Sequence, residues 1–245
     1  MNKLDVSKIR VVAMDLDGTL TQHKQPLTPE NHAALTQLKD RYCLVMAGAG
    51  QVMRVYNQLG QFPVDAIIGN YGLQYAVRNP ETGELDMQRD LVFPCDRESV
   101  DARVTMMRKK YGFTEFRGEN TEFHPSGIVT FPILGTKAIQ EDKLAFDPDR
   151  KKRRAIYQDV AEVFHDYTVF VGGSSSFDMA PFPYNKAYAL DLYCKEHGLS
   201  HENVVYIGDD YGPGGNDESV YLSDFPYLTI DDYRDFPKVI EPLLK

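Results

Sequence analysis

The feature that most constrains the fold of this chain is an apolar segment that ends abruptly in acidic residues. Ile9 to Met14 form this largely apolar segment, and Asp15-Leu16-Asp17-Gly18-Thr19-Leu20 follows directly. A short apolar run that is bounded by a glycine turn is typical of a buried strand. Carboxylates at the end of such a strand usually mark the sheet edge at which ligands bind. We therefore predict a buried strand that carries Asp15 and Asp17 to this edge.

Apolar strands and helices alternate along the start of the chain and again near its end. Such alternation predicts an α/β fold with a Rossmann-like parallel sheet, right-handed crossovers and ligands at the carboxyl ends of the strands. The predicted strands are Cys43 to Met46, Ala66 to Ile68 and Val204 to Ile207. Three helices are predicted: one that begins at Thr28-Pro29, one from Val52 to Leu59 and one from Lys186 to His197.

The middle of the chain has a different pattern. A turn cluster, Asn79-Pro80-Glu81-Thr82-Gly83, precedes two charged helices, about 97–111 and 149–165, which lie among short strands such as Ile128 to Phe131 and Thr168 to Val171. We therefore expect an α+β cap domain, residues 79–184, inserted into a catalytic core of residues 1–78 and 185–245.

The charge balance argues against nucleic acid and anionic membranes as partners. Lys and Arg number 27 against 36 Asp and Glu, which gives a formal net charge of −9. The basic run Arg150 to Arg154 is expected to be a solvated helix face. Three widely spaced cysteines suit a reducing compartment, and no signal segment or membrane span is evident. A cytoplasmic protein is the resulting expectation.

The first acidic cluster has a counterpart late in the chain. Asp15 and Asp17 are two residues apart, and side chains at that spacing on a strand point to the same side. The stretch Gly208-Asp209-Asp210-Tyr211-Gly212-Pro213-Gly214-Gly215-Asn216-Asp217 directly follows the predicted strand that ends at Ile207. Two acidic strand ends, each directly after an apolar strand, form a more specific signal than either one alone.

These two clusters carry a resemblance to a known superfamily. Asp15 to Thr21 resembles the first signature of the haloacid dehalogenase (HAD) superfamily of phosphotransferases, and Gly208 to Asp217 resembles its last signature. The resemblance implies that Asp15 attacks phosphorus and that Asp17 acts as the general acid and base. It also implies a Mg²⁺ ion, held by Asp15, Asp209, Asp217 and the backbone carbonyl of Asp17, which offsets the repulsion between carboxylate and phosphate.

A closer resemblance, to eukaryotic-type phosphomannomutases, covers nearly the whole chain. It rests on Pro213-Gly214-Gly215-Asn216-Asp217, on Gly172-Gly173 and on Ser176-Phe177-Asp178, eight residues before Lys186. The likeness implies an inserted α/β cap, a small phosphorylated substrate and possible homodimers. It makes Lys186 the lysine that bridges nucleophile and phosphate, and Ser176 and Asp178 become candidates for binding sugar hydroxyls.

One departure from the family concerns the loop after the second strand. Most HAD enzymes have a phosphate-binding hydroxyl there, and phosphomannomutases have Gly-Gly-Ser, whereas this chain has Ala47-Gly48-Ala49. The backbone amides of Gly48 and Ala49 are then the expected phosphate donors.

A second departure concerns the arginines that grip a second phosphate in the family. This chain has Lys24 at the first of these positions, His124 at the second, and Thr136-Lys137 and Lys143 near the remaining two. Lysine lacks the fork with which arginine binds phosphate in two places at once. The residues Lys24, Gly48, His124, Lys143, Ser176 and Asp178 form the expected substrate-binding set.

The loss of these arginines disfavours a mutase, because a mutase must hold a second phosphate while its bisphosphate intermediate turns over. The main hypothesis is therefore a Mg²⁺-dependent phosphohydrolase that acts on a small sugar or polyol phosphate through an aspartyl-phosphate intermediate. A phosphomannomutase-like hexose phosphomutase is the alternative. A phosphate-binding protein without catalytic activity is the third reading, and it is favoured only by Ala47 and Ala49.

Overall fold

A computed structural model describes residues 4–245, in which the strands and helices follow the predicted alternation at both ends of the chain. The strands are β1 Val11–Met14, β2 Cys43–Ala47, β3 Ala66–Gly69, β4 Gln74–Arg78, β5 Leu85–Asp90, β6 Glu122–Phe123, β7 Val129–Pro132, β8 Tyr167–Phe170, β9 Ser176–Pro181, β10 Val204–Gly208 and β11 Tyr227–Thr229. The helices are α1 Pro29–Lys39, α2 Val52–Gln58, α3 Arg97–Tyr111, α4 Gln140–Phe146, α5 Lys151–Val163, α6 Lys186–His197, α7 Glu218–Tyr221, α8 Phe236–Val239 and α9 Glu241–Leu244.

The larger sheet has seven strands in the order β11-β10-β1-β2-β3-β4-β5. Strands β11 to β3 in this order are parallel, and β4 and β5 extend the sheet with antiparallel pairing. Apolar clusters cover both faces: one packs α1 and α2 against the sheet, and the other packs α6. Burial on both faces explains why the central strands are continuous apolar runs. The expected Rossmann-like α/β fold is confirmed.

A second, four-stranded sheet has the order β6-β7-β9-β8 with antiparallel pairing throughout. One face of this sheet packs Phe131, Phe177 and Met179 against helices α3 and α5, so it has an apolar core of its own. This is the expected α+β part of the fold class.

The chain forms two compact units whose limits differ from the expected ones. The first comprises the chain up to Asp90, Asn185–Gly212 and Asp217–Lys245, and the second comprises Leu91–Tyr184 and Pro213–Asn216. Residues 79–90 lie in the first unit because β5 continues the larger sheet, whereas the expected cap begins at residue 79.

The basic run at the start of α5 is only partly the solvated face that its charge predicts: Lys151 and Lys152 are exposed, but Arg153 is not. Arg153 is only 1% exposed, and its Nε donates to Asp147 Oδ2 at 2.9 Å. Its Nη1 donates to the carbonyl oxygens of Gly172 at 2.6 Å and Ser176 at 3.1 Å. The buried Arg153 side chain therefore stabilises the turn between β8 and β9 through hydrogen bonds to its backbone carbonyls.

Among residues 4–245, no helix has the length and apolar character that crossing a lipid bilayer requires.

Candidate active site at the carboxyl edge of the larger sheet

Strand β1 brings Asp15 to the carboxyl edge of the sheet, and a tight turn follows. The amide of Asp15 donates to the Ile207 carbonyl at 3.0 Å, which ties this edge to β10. Gly18 has a φ of +95°, and a Cβ there would lie 2.3 Å from Asp209 Oδ2. Glycine is therefore required at residue 18, because its missing side chain lets Asp209 approach the turn.

Three buried charged side chains form the centre of the site. The Nζ atom of Lys186, the first residue of α6, lies 3.0 Å from Asp15 Oδ1 and 2.7 Å from Asp217 Oδ1. Asp15 is 4%, Lys186 1% and Asp217 0% exposed, so these ion pairs act in a medium of low dielectric. The structure thus brings together the predicted nucleophile and the predicted bridging lysine.

Asp217 is committed mainly to holding Lys186. Besides the lysine, its Oδ1 accepts a 2.6 Å hydrogen bond from the Tyr206 hydroxyl, and its Oδ2 accepts one of 3.0 Å from the Asp210 amide. Each carboxylate oxygen has two lone pairs. Lys186 and Tyr206 use both lone pairs of Oδ1, and the Asp210 amide uses one of the two on Oδ2. Asp217 can therefore offer a metal ion a single oxygen position.

A carboxylate oxygen from each of Asp15, Asp209 and Asp217 lies within 4.8 Å of the others, a spacing that suits a shared metal ion. Asp209 accepts from Thr19 Oγ1 at 2.9 Å through Oδ1, and this bond orients its carboxylate. An all-oxygen set of this kind fits Mg²⁺ better than zinc or copper. The fourth expected contribution, the backbone carbonyl of Asp17, stays a prediction.

The electrostatics of the cluster depend on burial and on repulsion between carboxylates. Burial raises the pKa of Asp15 to about 8 against the opposing effect of Lys186, with further increases from Asp217 and Asp209. Burial and the Asp217 charge likewise raise the pKa of Asp209 to about 6. Burial lowers the pKa of Lys186, but Asp15 and Asp217 more than reverse this, so the lysine stays charged. A divalent cation would relieve the repulsion between the carboxylates.

The Asp17 carboxylate points to a different set of partners. Its Oδ1 accepts from Gln58 Nε2 and from the Lys24 amide, both at 2.7 Å, and its Oδ2 lies 3.0 Å from Arg54 Nη2. Burial raises the pKa of Asp17, but the bonds from Gln58 and Lys24, with the Arg54 charge, lower it overall. Asp17 is therefore held as a carboxylate, which is the form of a general base, and it has to take up a proton before it can act as the predicted acid.

Two of the expected phosphate contacts, Gly48 and Lys24, lie in the first unit. The Gly48 amide donates to the Ile68 carbonyl at 2.9 Å, because the pairing of β2 with β3 continues one residue beyond the strand. This amide is therefore already bonded within the sheet, and the roles of the Gly48 and Ala49 amides as phosphate donors stay predictions. Lys24 has an exposed side chain and serves Asp17 through its backbone.

In the second unit, two of the predicted substrate residues share one hydrogen-bonded row on the smaller sheet. Thr130 pairs with Asp178 across β7 and β9, and its hydroxyl donates to Asp178 Oδ1 at 3.0 Å. The hydroxyl oxygen of Thr130 also lies 3.2 Å from His124 Nε2, which donates to it in the matching tautomer. Burial raises the pKa of Asp178 despite this hydroxyl.

The other two predicted residues of the second unit lie apart from this row in its hydrogen bonding. The Ser176 hydroxyl donates to the Gly172 carbonyl at 3.1 Å, so it braces the turn that Arg153 also holds. Lys143 lies half-buried on the short helix α4. The substrate roles of Ser176, Asp178, His124 and Lys143 stay predictions.

Several residues that contact the predicted site residues were not identified from the sequence. Tyr206 had a usable signal, because it is the one residue of the apolar run 204–208 whose side chain carries a polar group. Arg54 and Gln58 are four residues apart and therefore share a face of α2. The sequence does not indicate that this face contacts Asp17. Thr130 becomes visible only through the register of β7 and β9.

A family model described as eukaryotic phosphomannomutase matches residues 32–231. This chain belongs to that family. The probable phosphomannomutase of Caenorhabditis elegans is 25% identical over 257 residues, which cover 96% of this chain and 95% of that protein. The phosphomannomutase of Schizosaccharomyces pombe is 27% identical over 232 residues, with 86% and 85% covered. The resemblance to phosphomannomutases is thus confirmed.

Solved structures with a similar fold include a phosphatase of the haloalkanoate (HAD) enzyme superfamily from Bacteroides thetaiotaomicron. Its TM-score is 0.62 at 15% identity, with 96% of this chain and 95% of that one covered. The IMP-nucleotidase of Plasmodium falciparum gives a TM-score of 0.63 at 12% identity, with 96% and 68% covered. At these identities the likeness shows the HAD fold alone. Together with its family, this fold makes the chain a phosphotransferase of the HAD superfamily.

Proposed function

We propose that this chain moves a phosphoryl group to and from hexose phosphates through Asp15, as a phosphomannomutase does. The observation that carries the proposal is the buried Asp15 carboxylate, held 3.0 Å from the Lys186 ammonium, which Asp217 holds in turn. A fixed carboxylate beside a fixed cation suits attack on a phosphate dianion, because the cation offsets the repulsion. The similarity to phosphomannomutases over nearly the whole chain supports a hexose phosphate as substrate.

In this reaction Asp15 forms a bond to phosphorus while the bond between phosphorus and the sugar oxygen breaks. Asp17 gives a proton to the departing oxygen and later takes one from the hydroxyl that receives the phosphoryl group. Mg²⁺ bound by Asp15 and Asp209, with one oxygen of Asp217, would neutralise charge on the phosphate. Lys186 stays charged throughout, so it can hold Asp15 and contact phosphate oxygens.

Hydrolysis is the second candidate, and the missing arginines favour it. Lys24, His124, Thr136 and Lys143 stand at or near the places where the family carries them. Water then replaces the second sugar hydroxyl as acceptor. This hydrolase was the main hypothesis from the sequence; the phosphomannomutase relatives support the mutase instead.

The two candidates differ in their products. Purified protein with Mg²⁺ and mannose 1-phosphate, with and without a hexose 1,6-bisphosphate, is followed by phosphorus NMR. We expect mannose 6-phosphate to form when the bisphosphate is present. Inorganic phosphate as the main product would assign the hydrolase.

Asp15→Asn is the matched control, since it removes the nucleophile and keeps the shape of the side chain. No product from the unmodified chain across a panel of hexose phosphates would overturn both activities. It would favour the third reading, a phosphate-binding protein.

A further inference from the structure

Arg54 reaches the Asp17 side of the site from the first turn of α2. Its Nη2 lies 3.0 Å from Asp17 Oδ2, and its Nη1 donates to Gln58 Oε1 at 2.8 Å. Its side chain is 40% exposed, so the guanidinium is anchored at one edge and open to solvent at another. Neither the proposed attack by Asp15 nor the proton transfer by Asp17 needs an arginine at this place.

The loop after β2 is shaped to receive this side chain. A Cβ on Gly50 would lie 2.2 Å from Arg54 Nε, so the guanidinium rests directly against the Gly50 backbone. The Gly50 carbonyl accepts from the Asn70 amide at 2.9 Å, which fixes the loop beneath the arginine. Any larger residue at position 50 would displace Arg54.

The same loop begins beside the proposed nucleophile. A Cβ on Gly48 would lie 3.9 Å from Asp15 Oδ1, so the loop runs from Asp15 to the guanidinium of Arg54 within three residues. A phosphate at Asp15 therefore lies against a loop whose residues 47–50 carry no hydroxyl and whose Gly48 amide is already bonded. Arg54, on the helix that follows this loop, is the charged donor whose side chain packs against the loop backbone.

We propose that Arg54 binds the phosphate, its guanidinium turning from the Asp17 carboxylate to phosphate oxygens when the ligand enters. Asp17 keeps the Gln58 amide and the Lys24 backbone amide, so it is not left unpaired by the exchange. A phosphate dianion presents two charges and matches the fork of a guanidinium, which makes it the stronger partner. The inference rests on the proposed function only in taking a phosphate as the ligand.

The first test measures binding of inorganic phosphate by calorimetry in the presence of Mg²⁺, so it does not depend on turnover. We expect Arg54→Gln to weaken phosphate binding about 10- to 100-fold, and Arg54→Lys to weaken it less, because the charge remains without the fork. Arg234→Gln is the control: Arg234 is also an exposed arginine paired with an aspartate, Asp232, and this variant should bind phosphate normally.

The second test displaces Arg54 without removing it. Gly50→Ala places a methyl group where the guanidinium lies, on a backbone that does not need a positive φ. We expect Gly50→Ala to weaken phosphate binding in the chain that carries Arg54. In the Arg54→Gln background the same change should have little further effect, and this non-additivity identifies displacement of the arginine as the cause.

Unchanged phosphate affinity in Arg54→Gln would overturn the inference, even if turnover fell, because the arginine would then act only by positioning Asp17. Additive losses in the double variant would also count against it, and so would an unmodified chain that fails to bind inorganic phosphate. Normal phosphate binding without any turnover of hexose phosphates would leave Arg54 as a phosphate ligand and remove the proposed function.

Discussion

At the scale of single residues, two charged side chains in series support the proposed nucleophile: Asp217 holds Lys186, and Lys186 holds Asp15. Tyr206 and the Asp210 amide fix Asp217 from the other side. Because all three are buried and Lys186 contacts both carboxylates, removal of the lysine would leave two buried carboxylates without their cation at a large free-energy cost. These contacts indicate that Asp217 positions Lys186, in addition to its predicted role as a metal ligand.

Replacement of Asp15 by asparagine separates function from folding. We expect Asp15→Asn to abolish turnover, because a neutral amide cannot form the aspartyl phosphate. Burial raises the pKa of Asp15 to about 8, above its ordinary value, so its charge opposes folding at pH 8. Asp15→Asn should therefore melt at the same temperature or higher at that pH. A folded variant that keeps a near-normal rate, with deamidation excluded by mass spectrometry, would remove Asp15 as the nucleophile.

Binding of Mg²⁺ should depend on pH in a defined window. The pKa of Asp15 is raised to about 8 and that of Asp209 to about 6, so protons compete with the metal for both carboxylates as the pH falls. We expect the affinity for Mg²⁺, measured by calorimetry, to fall by up to about 10-fold between pH 8 and pH 7 and further towards pH 6.

Asp15→Asn should bind Mg²⁺ more weakly and with a shallower dependence on pH, because one of the two titrating carboxylates is gone. Equal affinity of the unmodified chain at pH 6 and pH 8 would mean that these carboxylates do not hold the ion.

The sequence predicts which side chains form the centre of the site better than where they point. Asp15, Lys186, Asp209 and Asp217 carry recognisable patterns, and the structure brings them together. The contacts of Asp17 depend on the conformation of the turn that brings the Lys24 amide to it and on the orientation of α2. Local sequence patterns predict neither of these. The Gly48 amide donates to the Ile68 carbonyl because the sheet extends by one hydrogen bond beyond β2. Sequence patterns do not locate the end of a strand to within one residue.

At the scale of elements, helix α5 stabilises the turn between β8 and β9 through one buried arginine. Arg153 joins Asp147 to the carbonyl oxygens of Gly172 and Ser176. We expect Arg153→Met to lower the free energy of unfolding by about 3 to 5 kcal/mol, because it leaves the buried Asp147 carboxylate without its cation. Urea unfolding followed by circular dichroism gives this value.

Lys151→Met is the matched control for this change. Lys151 belongs to the same basic run, but its side chain is 83% exposed, so we expect a change within about 0.5 kcal/mol. Equal effects of the two substitutions would contradict a structural role that is specific to Arg153.

Elements with a strong pattern were predicted well, and exposed edge elements were not. The bounds of α3 and α6 match their predictions, and β1, β2, β3 and β10 follow their apolar runs to within two residues. Strand β5 lies at the edge of the sheet with exposed or half-exposed residues, and apolar and polar residues alternate in it only from Leu85 to Gln88, the shortest run that indicates a strand. The limit of the first unit therefore moves from residue 78 to Asp90.

At the scale of the whole molecule, the second unit contains an apolar core that does not draw on the first. Val104, Phe131, Phe164 and Phe177 are fully buried within it. We expect the fragment 91–184 to fold alone, with a cooperative urea transition by circular dichroism, although without the Gly214 carbonyl that accepts from the Val171 amide.

A gradual loss of ellipticity in that fragment, at every temperature tried, would show that the second unit needs the rest of the chain to fold. A fragment that extends from residue 79 would then test whether the turn and β5 supply what is missing. Dimerisation of the full chain stays a prediction.

The hydrogen bond from Tyr206 to Asp217 also gives this molecule an optical property. The chain has no tryptophan, so its ultraviolet emission comes from its 15 tyrosines. A tyrosine that donates to a carboxylate is usually a dim emitter, since the acceptor quenches the excited phenol. Ligands that draw Asp217 away from Tyr206 would brighten it, and Tyr206→Phe would remove the signal. Ligand binding beside Asp15, Lys186 and Asp217 would then be followed by tyrosine fluorescence, without a label and without turnover.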